Sequence, residues 1–496
     1  MRSAKTSLLV IAALLAGLFL ADKPAINAQP AIGGGIESFT QAMDRKLPDR
    51  MNSYGIPGVT IAVLHKGEIV WVQAYGIADR KSGRAMAEGD IFRVESISKS
   101  ITAWGVMTLV EEGMIELDMP VATYLKSWSL PPSEISVDTL TVRQLLSHTG
   151  GMPLGNFGAR YPPEGPVLAL RDSLSKEARP IQQPGLSFSY SNTGYNLLEL
   201  LIEDVSGMPF SDYMAREILT PLGMMNSSFE WSPEINDRIP TAYGLKEEPV
   251  PLYIYPGRGA GGLFATVEDI ARFIQAGMAE GYRSEHKVLS PASIELISTP
   301  QAKPGGLMAY VSDAYGFGVF LEELQAGRHA VWNGGQGSGW MAHFYAVPDA
   351  GDAIVILVNS QRAWPLFAEV MREWSKWAGI APVGMAHLTT VIFVLQVAIG
   401  LLIIASLGQI LRIGRGLVMN QRSFAPLANE AWTVRLLQGL SATFLFSVLV
   451  WERSQDYLFL WSIIPHVFSW FEFAILVAAV ALAVTAAVPR AGSICR

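Results

Sequence analysis

Ser96-Ile97-Ser98-Lys99 is the stretch from which the rest of the chain is read, a serine followed one helical turn later by a lysine. Residues i and i+3 lie side by side on a helix, so Ser96 and Lys99 share one face. Ile97, Ile101, Trp104, Met107, Val110 and Met114 follow at helical spacing and the pattern runs out near Gly113, which predicts a buried helix with Ser96 at its start. There the unpaired N–H groups and the helix dipole favour negative charge, which suits an attacking alkoxide and the oxyanion it produces. The same spacing recurs at Ser173-Leu174-Ser175-Lys176, which serves as an internal control. That copy runs into Glu177-Ala178-Arg179-Pro180, so no long apolar helix grows from it, and context selects Ser96.

The 496 residues suffice for two or three domains and a sizeable core. Charged residues are only 16% and hydrophobic ones 50%, a balance that points to a membrane part. A net charge of -7 with no basic block argues against nucleic acid as a partner. Met1 to Ala28 reads as a secretory signal: Arg2 and Lys5, the apolar run Leu8 to Leu20, then small residues ending Ile26-Asn27-Ala28. Cys495 is the only cysteine, so no disulfide framework is expected even in an exported domain. The seven histidines are scattered and none forms a His-Glu-x-x-His pair, so no metal is expected, and no cofactor is called for.

Outward from Ser96 towards the N-terminus, a helical stretch from Ile36 to Met51 precedes two strands, Val59 to Leu64 and Ile69 to Tyr75, joined by His65-Lys66-Gly67-Glu68 as a hairpin. Towards the C-terminus, Leu140 to Leu146 ends at Ser147-His148-Thr149-Gly150-Gly151, where His148 reads as a residue that caps or orients the loop more readily than as a base. A Pro184-Gly185 turn leads into Tyr190-Ser191-Asn192, read as a loop before a helix over Leu197 to Val205; a tyrosine and an asparagine two apart can face one cleft, as proton acceptor and amide donor. Gly259 to Thr266 is followed by a helix from Val267 to Met278 with Thr266 as its N-cap. Tyr315 to Leu321, His329 to Trp332, Trp340 to Val347 and Ala353 to Asn359 are close, turn-linked strands, so an antiparallel sheet is predicted, with a closing helix from Arg362 to Trp377. The fold class is therefore α+β: one antiparallel sheet flanked by helices, with a helical subdomain beside it.

Between residues 38 and 378 the chain resembles the serine β-lactamase and penicillin-binding protein superfamily, in particular its class C-like branch, which also holds DD-peptidases and esterases. The resemblance rests on Ser96-Ile97-Ser98-Lys99, Leu145 to Gly151, Pro184-Gly185 before Tyr190-Ser191-Asn192, Pro221-Leu222-Gly223-Met224, Gly259 to Thr266, Tyr315-Gly316-Phe317-Gly318, and Gly334-Gly335 before Gly339-Trp340, all in family order. It implies that Ser96 attacks a carbonyl to form an acyl-enzyme. Lys99 would lower the pKa of the serine and tyrosine hydroxyls or relay a proton, and Tyr190 would be general base or leaving-group acid. It also implies substrate contacts from Asn192, Asn333, Gly335 and Gln336, with the N–H groups of Ser96 and of Gln336 on an edge strand as oxyanion hole. For Tyr190 to act as base its pKa must be depressed, for which the neighbouring ammonium supplies the reason. The family's third motif opens with lysine or histidine where this chain reads Asn333-Gly334-Gly335. That argues against efficient β-lactam hydrolysis and leaves simple esters and amides open.

After Pro382 the composition changes. Residues 388–411, 434–451 and 466–488 are three candidate spans, with Trp461 and Trp470 suited to an interface. Arg412, Arg415, Arg422 and Arg435 flank the first loop, and Arg490 and Arg496 lie in the tail. That arrangement sets the loop and the C-terminus inside and the catalytic domain outside. Glu472 is the one carboxylate in these three ranges, and the helices read as an anchor.

The domains are thus a signal peptide (1–28), a hydrolase-like domain (29–380) and a membrane domain (381–496). Expected partners are a small-molecule or peptide substrate and the lipid bilayer. The function expected is an exported, membrane-anchored serine hydrolase; its rival is a penicillin- or peptidoglycan-binding module that retains the cleft without turning over.

Overall fold

Val59, Ile61 and Val63 alternate with Ala62 and Leu64, and all five are apolar, as a strand covered on both faces requires. In the computed structural model they form β1 (Gly58–His65), paired antiparallel with β2 (Glu68–Asp79) across a two-residue turn. Lys66 and Gly67 both have positive φ there (51° and 81°), the geometry that matches strand twist in a tight hairpin. The structure describes residues 35–155, 160–279, 288–380, 383–426, 432–454, 462–465 and 467–489. The expected signal segment lies outside them, as do Trp461 and His466.

Six more strands complete the sheet: β3 (Arg84–Ala85), β4 (Ala314–Tyr315), β5 (Phe320–Glu323), β6 (His329–Gln336), β7 (Met341–Val347) and β8 (Asp352–Val358), in the spatial order β3-β2-β1-β8-β7-β6-β5-β4. Every pairing is antiparallel, as expected. One face packs on α1 (Ile36–Tyr54) and the closing helix Trp364–Trp377, through Phe39, Met43, Val59, Ile61, Ile356 and Trp374. The other face packs on the helix Val267–Ala276, which lies against β1, β2 and β8 through Ala62, Leu64, Val355 and Leu357, and on the nucleophile helix α2 (Ile97–Glu111), which lies against β6.

Helix α2 is buried all round from Ile97 to Leu109, so its polar side chains are inside as well. They serve as ties: the hydroxyl of Ser100 donates to Gly318 O (2.6 Å), that of Thr102 to Gly259 O (2.9 Å), and that of Ser98 accepts from Leu263 N (3.0 Å). The loops around the nucleophile are thus fixed to the helix that carries it. Around it lie the short α3 (Val142–Leu146), α4 (Leu170–Glu177), α5 (Asn192–Ser206) and α6 (Val267–Ala276), the last capped by Thr266 as expected. The closing helix is α7.

Three expectations are corrected. The run Tyr315 to Leu321 is two strands, because Gly316 to Gly318 breaks it and Gly318 takes a φ of 75° beside Lys99 and Ser100. Helix α5 begins at Asn192 rather than Leu197, because Ser191 accepts from Gly194 N (2.9 Å) and caps it earlier than the apolar pattern shows. And β6 runs on to Gln336 rather than ending at Trp332; its partner β5 pairs only as far as Trp332, so Asn333 to Gln336 form an open edge, as expected for Gln336, and there Asn333 bonds to Ser96 and Ser100.

The described residues divide into this unit, ending at Ala386, and a second that begins at His387. The second contains α8 (Leu388–Val418), α9 (Trp432–Arg453) and α10 (Phe468–Ala487), three helices long and apolar enough to cross a membrane. Helix α8 runs past residue 411, so Arg412 and Arg415 stand on its last turns rather than in a loop; arginine continues a helix readily where hydropathy has already ended. Helix α9 extends to Arg453 and so includes Glu452, a second carboxylate beside Glu472.

Candidate active site

Ser96 is the N-cap of α2, reached through Glu95, whose φ of 50° is rare for a residue with a Cβ and turns the chain sharply into the helix. The first turn is tight: Ile97, Ser98 and Lys99 donate to the carbonyls of Val94, Glu95 and Ser96 (3.2, 2.9 and 3.0 Å). This sets Lys99 beneath Ser96, and Lys99 Nζ donates to Ser96 Oγ at 3.1 Å. Its other donors go to Asn192 Oδ1 (2.7 Å) and Ala260 O (2.7 Å). All three ammonium hydrogens therefore have acceptors. The side chain is wholly buried, and that enclosure lowers its pKa to about 7, with Glu95 pulling in the opposite direction.

Tyr190 lies on the same side, its ring 5.0 Å from Lys99 Nζ and packed at 4.3 Å on the ring of His148. Enclosure pushes its phenol up to about 12, against a hydrogen bond with Ser96 that draws it down. The depressed tyrosine pKa that a base requires is not found; the lysine is the group brought near neutrality. His148 holds the tyrosine loop: its Nδ1 accepts from Ser191 N (3.2 Å), and burial followed by the Lys99 charge keeps the imidazole well below its ordinary pKa. That matches its reading as a loop-orienting residue.

Asn333 differs from expectation. Ala330 and Trp332 of β6 face the α1 and α7 layer, so strand alternation turns Asn333 towards α2, where it is fully buried. Its amide donates to Ser96 O (3.2 Å), Ser100 Oγ (3.0 Å) and Gly318 O (2.8 Å), and its oxygen accepts from Gly334 N (2.8 Å). The side chain braces the carbonyl side of the nucleophile and does not reach the cleft. Asn333→Ala is expected to cost about 2–4 kcal/mol of stability, because buried acceptors lose their donor; chemical denaturation of the full-length chain measures it. Gly335 faces the turn before α2, and a Cβ there would collide with Val94 O, so only glycine lets the strand approach the turn before Ser96. Gln336 lines the cleft, and its side-chain Oε1 accepts from Trp364 Nε1 (3.2 Å).

The cleft opens beside Ser96, bounded by Glu95, Asn192, Tyr255, Ala260 and Gln336 among others. One wall is a buried network that motif reading did not find. Glu95 accepts from Arg93 Nε (3.0 Å), Tyr253 OH (3.0 Å) and Tyr255 OH (3.0 Å), while Arg93 also donates to Tyr253 O (2.9 Å) and Gly261 O (2.9 Å). The pair pins both the turn before Ser96 and the loop whose Ala260 carbonyl holds Lys99. Its trace in the sequence is the charged Arg93-x-Glu95 inside the apolar stretch from Ile91 to Ile97. A second missed residue is Glu199 of α5, fully buried, which accepts from the N–H groups of Arg258 (2.5 Å) and Gly259 (2.7 Å) and fixes the same loop from behind. Burial raises its pKa to about 7. Among the described residues no group of histidine, cysteine or carboxylate side chains is arranged to hold a metal ion.

Comparison with known proteins adds to this geometry. Residues 43–370 match the family model described as Beta-lactamase. The chain is 27% identical over 326 residues to penicillin-binding protein 4 of Amycolatopsis lactamdurans, covering 64% of this chain and 84% of that one. It is 28% identical over 275 residues to esterase EstB of Burkholderia gladioli, covering 48% of this chain and 70% of the esterase. Among solved structures, the octameric penicillin-binding protein homologue from Pyrococcus abyssi aligns with a TM-score of 0.55 at 26% identity, over 65% of this chain and 73% of that one.

Proposed function

Because this chain belongs to the beta-lactamase family, whose members are serine hydrolases working through an acyl-enzyme, we propose that it hydrolyses an ester or amide with Ser96 as nucleophile and Lys99 as its base. The observation that carries this is the buried Lys99 amine, 3.1 Å from Ser96 Oγ and brought to about pKa 7. An amine that is half neutral near pH 7 can take the serine proton; an exposed lysine cannot. Ser96 Oγ then bonds to the acyl carbon, and the oxyanion is held by the N–H groups of Ser96 and Gln336. Tyr190, whose phenol stays protonated at neutral pH, passes its proton to the leaving group and recovers one from Lys99. Water, activated through the same pair, releases the acid. Asn192, whose Oδ1 is occupied by Lys99, keeps its NH₂ for a substrate carbonyl.

Simple esters and amides are favoured over carboxylate-bearing β-lactams, since Asn333 is neutral and buried and, among the described residues lining the cleft, there is no lysine, arginine or histidine. The rival reading, a binding module without turnover, has no comparable support from the lysine. We further place α8, α9 and α10 in a bilayer as an anchor, with the hydrolase unit outside and the C-terminus inside, on the strength of Arg412 and Arg415 at the end of α8 and Arg422 just beyond it. Incubating the full-length chain in detergent with a fluorophosphonate, a penicillin and a p-nitrophenyl ester tests the chemistry by intact mass and product release. Adducts and turnover with the ester are expected.

The pH dependence has a definite sign. Neutral Lys99 is the reactive form, so kcat/KM for an uncharged ester should rise with pH through a midpoint near 7 and then stay level, since the phenol does not ionise until about 12. A profile flat from pH 5 to 9 would remove Lys99 from the role of base.

A further inference from the structure

Ser173 opens the second Ser-x-x-Lys spacing, the copy set aside as a nucleophile, yet it stands on the wall of the cleft into which Ser96 opens. The faces of α4 are assigned by their partners. Leu170 and Leu174 enter the core, while Arg171 donates to Ser127 Oγ (2.9 and 2.8 Å) and Ser175 Oγ accepts from Trp128 Nε1 (2.9 Å), which fixes the outer side. Ser173 and Glu177, one turn apart, are left to the cleft. Ser173 is only 7% exposed, and its hydroxyl has no hydrogen-bond partner among the described residues, whereas Ser175 turns its own back to Arg171 O (2.7 Å).

A row on α5 supplies a second wall. Asn192 accepts from Lys99, and Glu199 accepts from the N–H groups of Arg258 and Gly259. Asn196 lies between them on the same face and lines the cleft, packed on Gly257, where a Cβ would collide with its amide. Its oxygen is enclosed without a donor, and its NH₂ has no acceptor among the described residues, so the NH₂ is the end left to the cleft. No unpaired charge accompanies these groups. Glu95 is satisfied by Arg93, Tyr253 and Tyr255, Glu177 is already partnered, and among the described residues lining the cleft there is no lysine, arginine or histidine. What remains is one hydroxyl and one amide donor, the latter about 6 Å beyond Asn192 by four steps of helical rise. Tyr190 is not among the lining residues, and on the reading above the leaving group departs on its side, so this cavity receives the acyl half of the substrate.

We propose that Ser173 and Asn196 form a subsite for an uncharged polar group on the acyl half, so that acids carrying a remote carboxamide or hydroxyl are selected over plain alkyl and over charged ones. The inference rests on the hydrolase reading and narrows it. An oxygen of the remote group accepts from Asn196 Nδ2 and from Ser173 Oγ, and a hydroxyl or N–H hydrogen on it can instead be taken by Ser173. Two polar groups already held in place, with no partner to give up, favour such a ligand and leave an alkyl chain facing unpaired donors. Hydrolysis balances in the ordinary way: the bond from the acyl carbon to oxygen or nitrogen breaks, water supplies hydroxyl to that carbon and a proton to the leaving group, and the remote group is unchanged.

A series of p-nitrophenyl esters of matched chain separates polarity from charge and size: hexanoate, 6-hydroxyhexanoate, the monoamide of adipate, 6-aminohexanoate and the half-ester of adipic acid, compared at pH 7 on the full-length chain in detergent. The hydroxyl or carboxamide ester is expected to have the highest kcat/KM, about tenfold above hexanoate, as two hydrogen bonds of ordinary net strength provide. That advantage should persist at high salt, where a charge effect would shrink. The ratio of polar to alkyl ester is the readout, because displacement of Ser96 would slow both alike. In Ser173→Ala and in Asn196→Leu the ratio should fall about threefold each, and in the double variant to about unity. A ratio unchanged in both single variants, or a wild-type preference for hexanoate or for a charged ester, overturns the proposal. If the folded protein hydrolyses none of the esters and takes no fluorophosphonate, it is the hydrolase reading that fails. The subsite is then judged by equilibrium binding of adipamide against hexanamide, where equal affinities overturn the assignment and tighter binding of adipamide, lost in the double variant, upholds it.

Discussion

Ser96→Ala is expected to abolish fluorophosphonate labelling and to lower kcat/KM for a p-nitrophenyl ester by at least about 10⁴-fold, with little change in thermal stability. Loss of a covalent nucleophile leaves only binding and oxyanion contributions, and falls of that order follow when such a group acts together with its base. The stability half of the expectation comes from the geometry. Ser96 occupies the N-cap of α2, but its hydroxyl makes no capping bond; it accepts from Lys99 instead. Alanine therefore removes no bond that holds the helix start, and the ties to the surrounding loops are made by Ser98, Ser100 and Thr102. Ser191 is a hydroxyl of the opposite kind, accepting from Gly194 N and donating to Pro153 O, so its role is to hold α5 in place. A Ser96→Ala protein that keeps its melting transition and still labels would mean that another nucleophile, or the reagent's own reactivity, accounts for the adduct. Labelling that disappears together with the folded state would leave the serine unassigned, so intact mass and a melting curve belong in the same experiment.

What the chain reveals before folding is uneven, and the reasons are physical. The sheet was legible because both of its faces are covered, which writes β1, β7 and β8 as nearly continuous apolar runs. Helix α2 was legible because its apolar positions keep helical spacing, although the burial of Lys99 and four hydroxyl side chains was not. Glu95 escaped because its partners Tyr253 and Tyr255 lie about 160 positions away, and no local pattern announces such a pairing. Asn333 shows a different failure. The motif was found in the right order, but a role was attached to the residue type before its face was counted. Alternation from Trp332, an apolar ring that belongs to the α1 and α7 layer, already directs the next side chain towards α2. The membrane boundaries moved for a third reason: hydropathy measures preference for lipid, whereas the helix goes on wherever its backbone bonds can be made, through Arg412 and Arg415 to Val418.

Lys99→Met is expected to lower kcat about 10³–10⁴-fold, the range associated with removing a positioned general base, while leaving Ser96 in place. Methionine fills much of the same volume but can neither accept a proton nor satisfy Asn192 Oδ1 and Ala260 O, so ground-state binding through Asn192 should loosen as well. The decisive readout is the residual activity against pH. Two buried groups sit near 7, Lys99 lowered by its enclosure and Glu199 raised by its own, and either could shape a limb there. In Lys99→Met the rise through pH 7 should vanish; a limb that survives unchanged would assign it to Glu199 and its grip on the Arg258 and Gly259 amides. Stability supplies a second, independent sign. Between about pH 7 and the ordinary lysine value of 10.5, the unfolded chain binds a proton at Lys99 that the folded chain does not. This group therefore makes stability increase with pH across that window, and below it the folded protein bears the full cost of a buried ammonium. Replacing it with methionine should flatten the melting temperature against pH over the same range. Lys99→Arg tests the point from the other side, since a guanidinium keeps its proton throughout and restores charge without restoring a base. If Lys99→Arg recovers turnover, charge alone is what Ser96 requires of its neighbour; if both variants stay slow, the neutral amine is the form that acts.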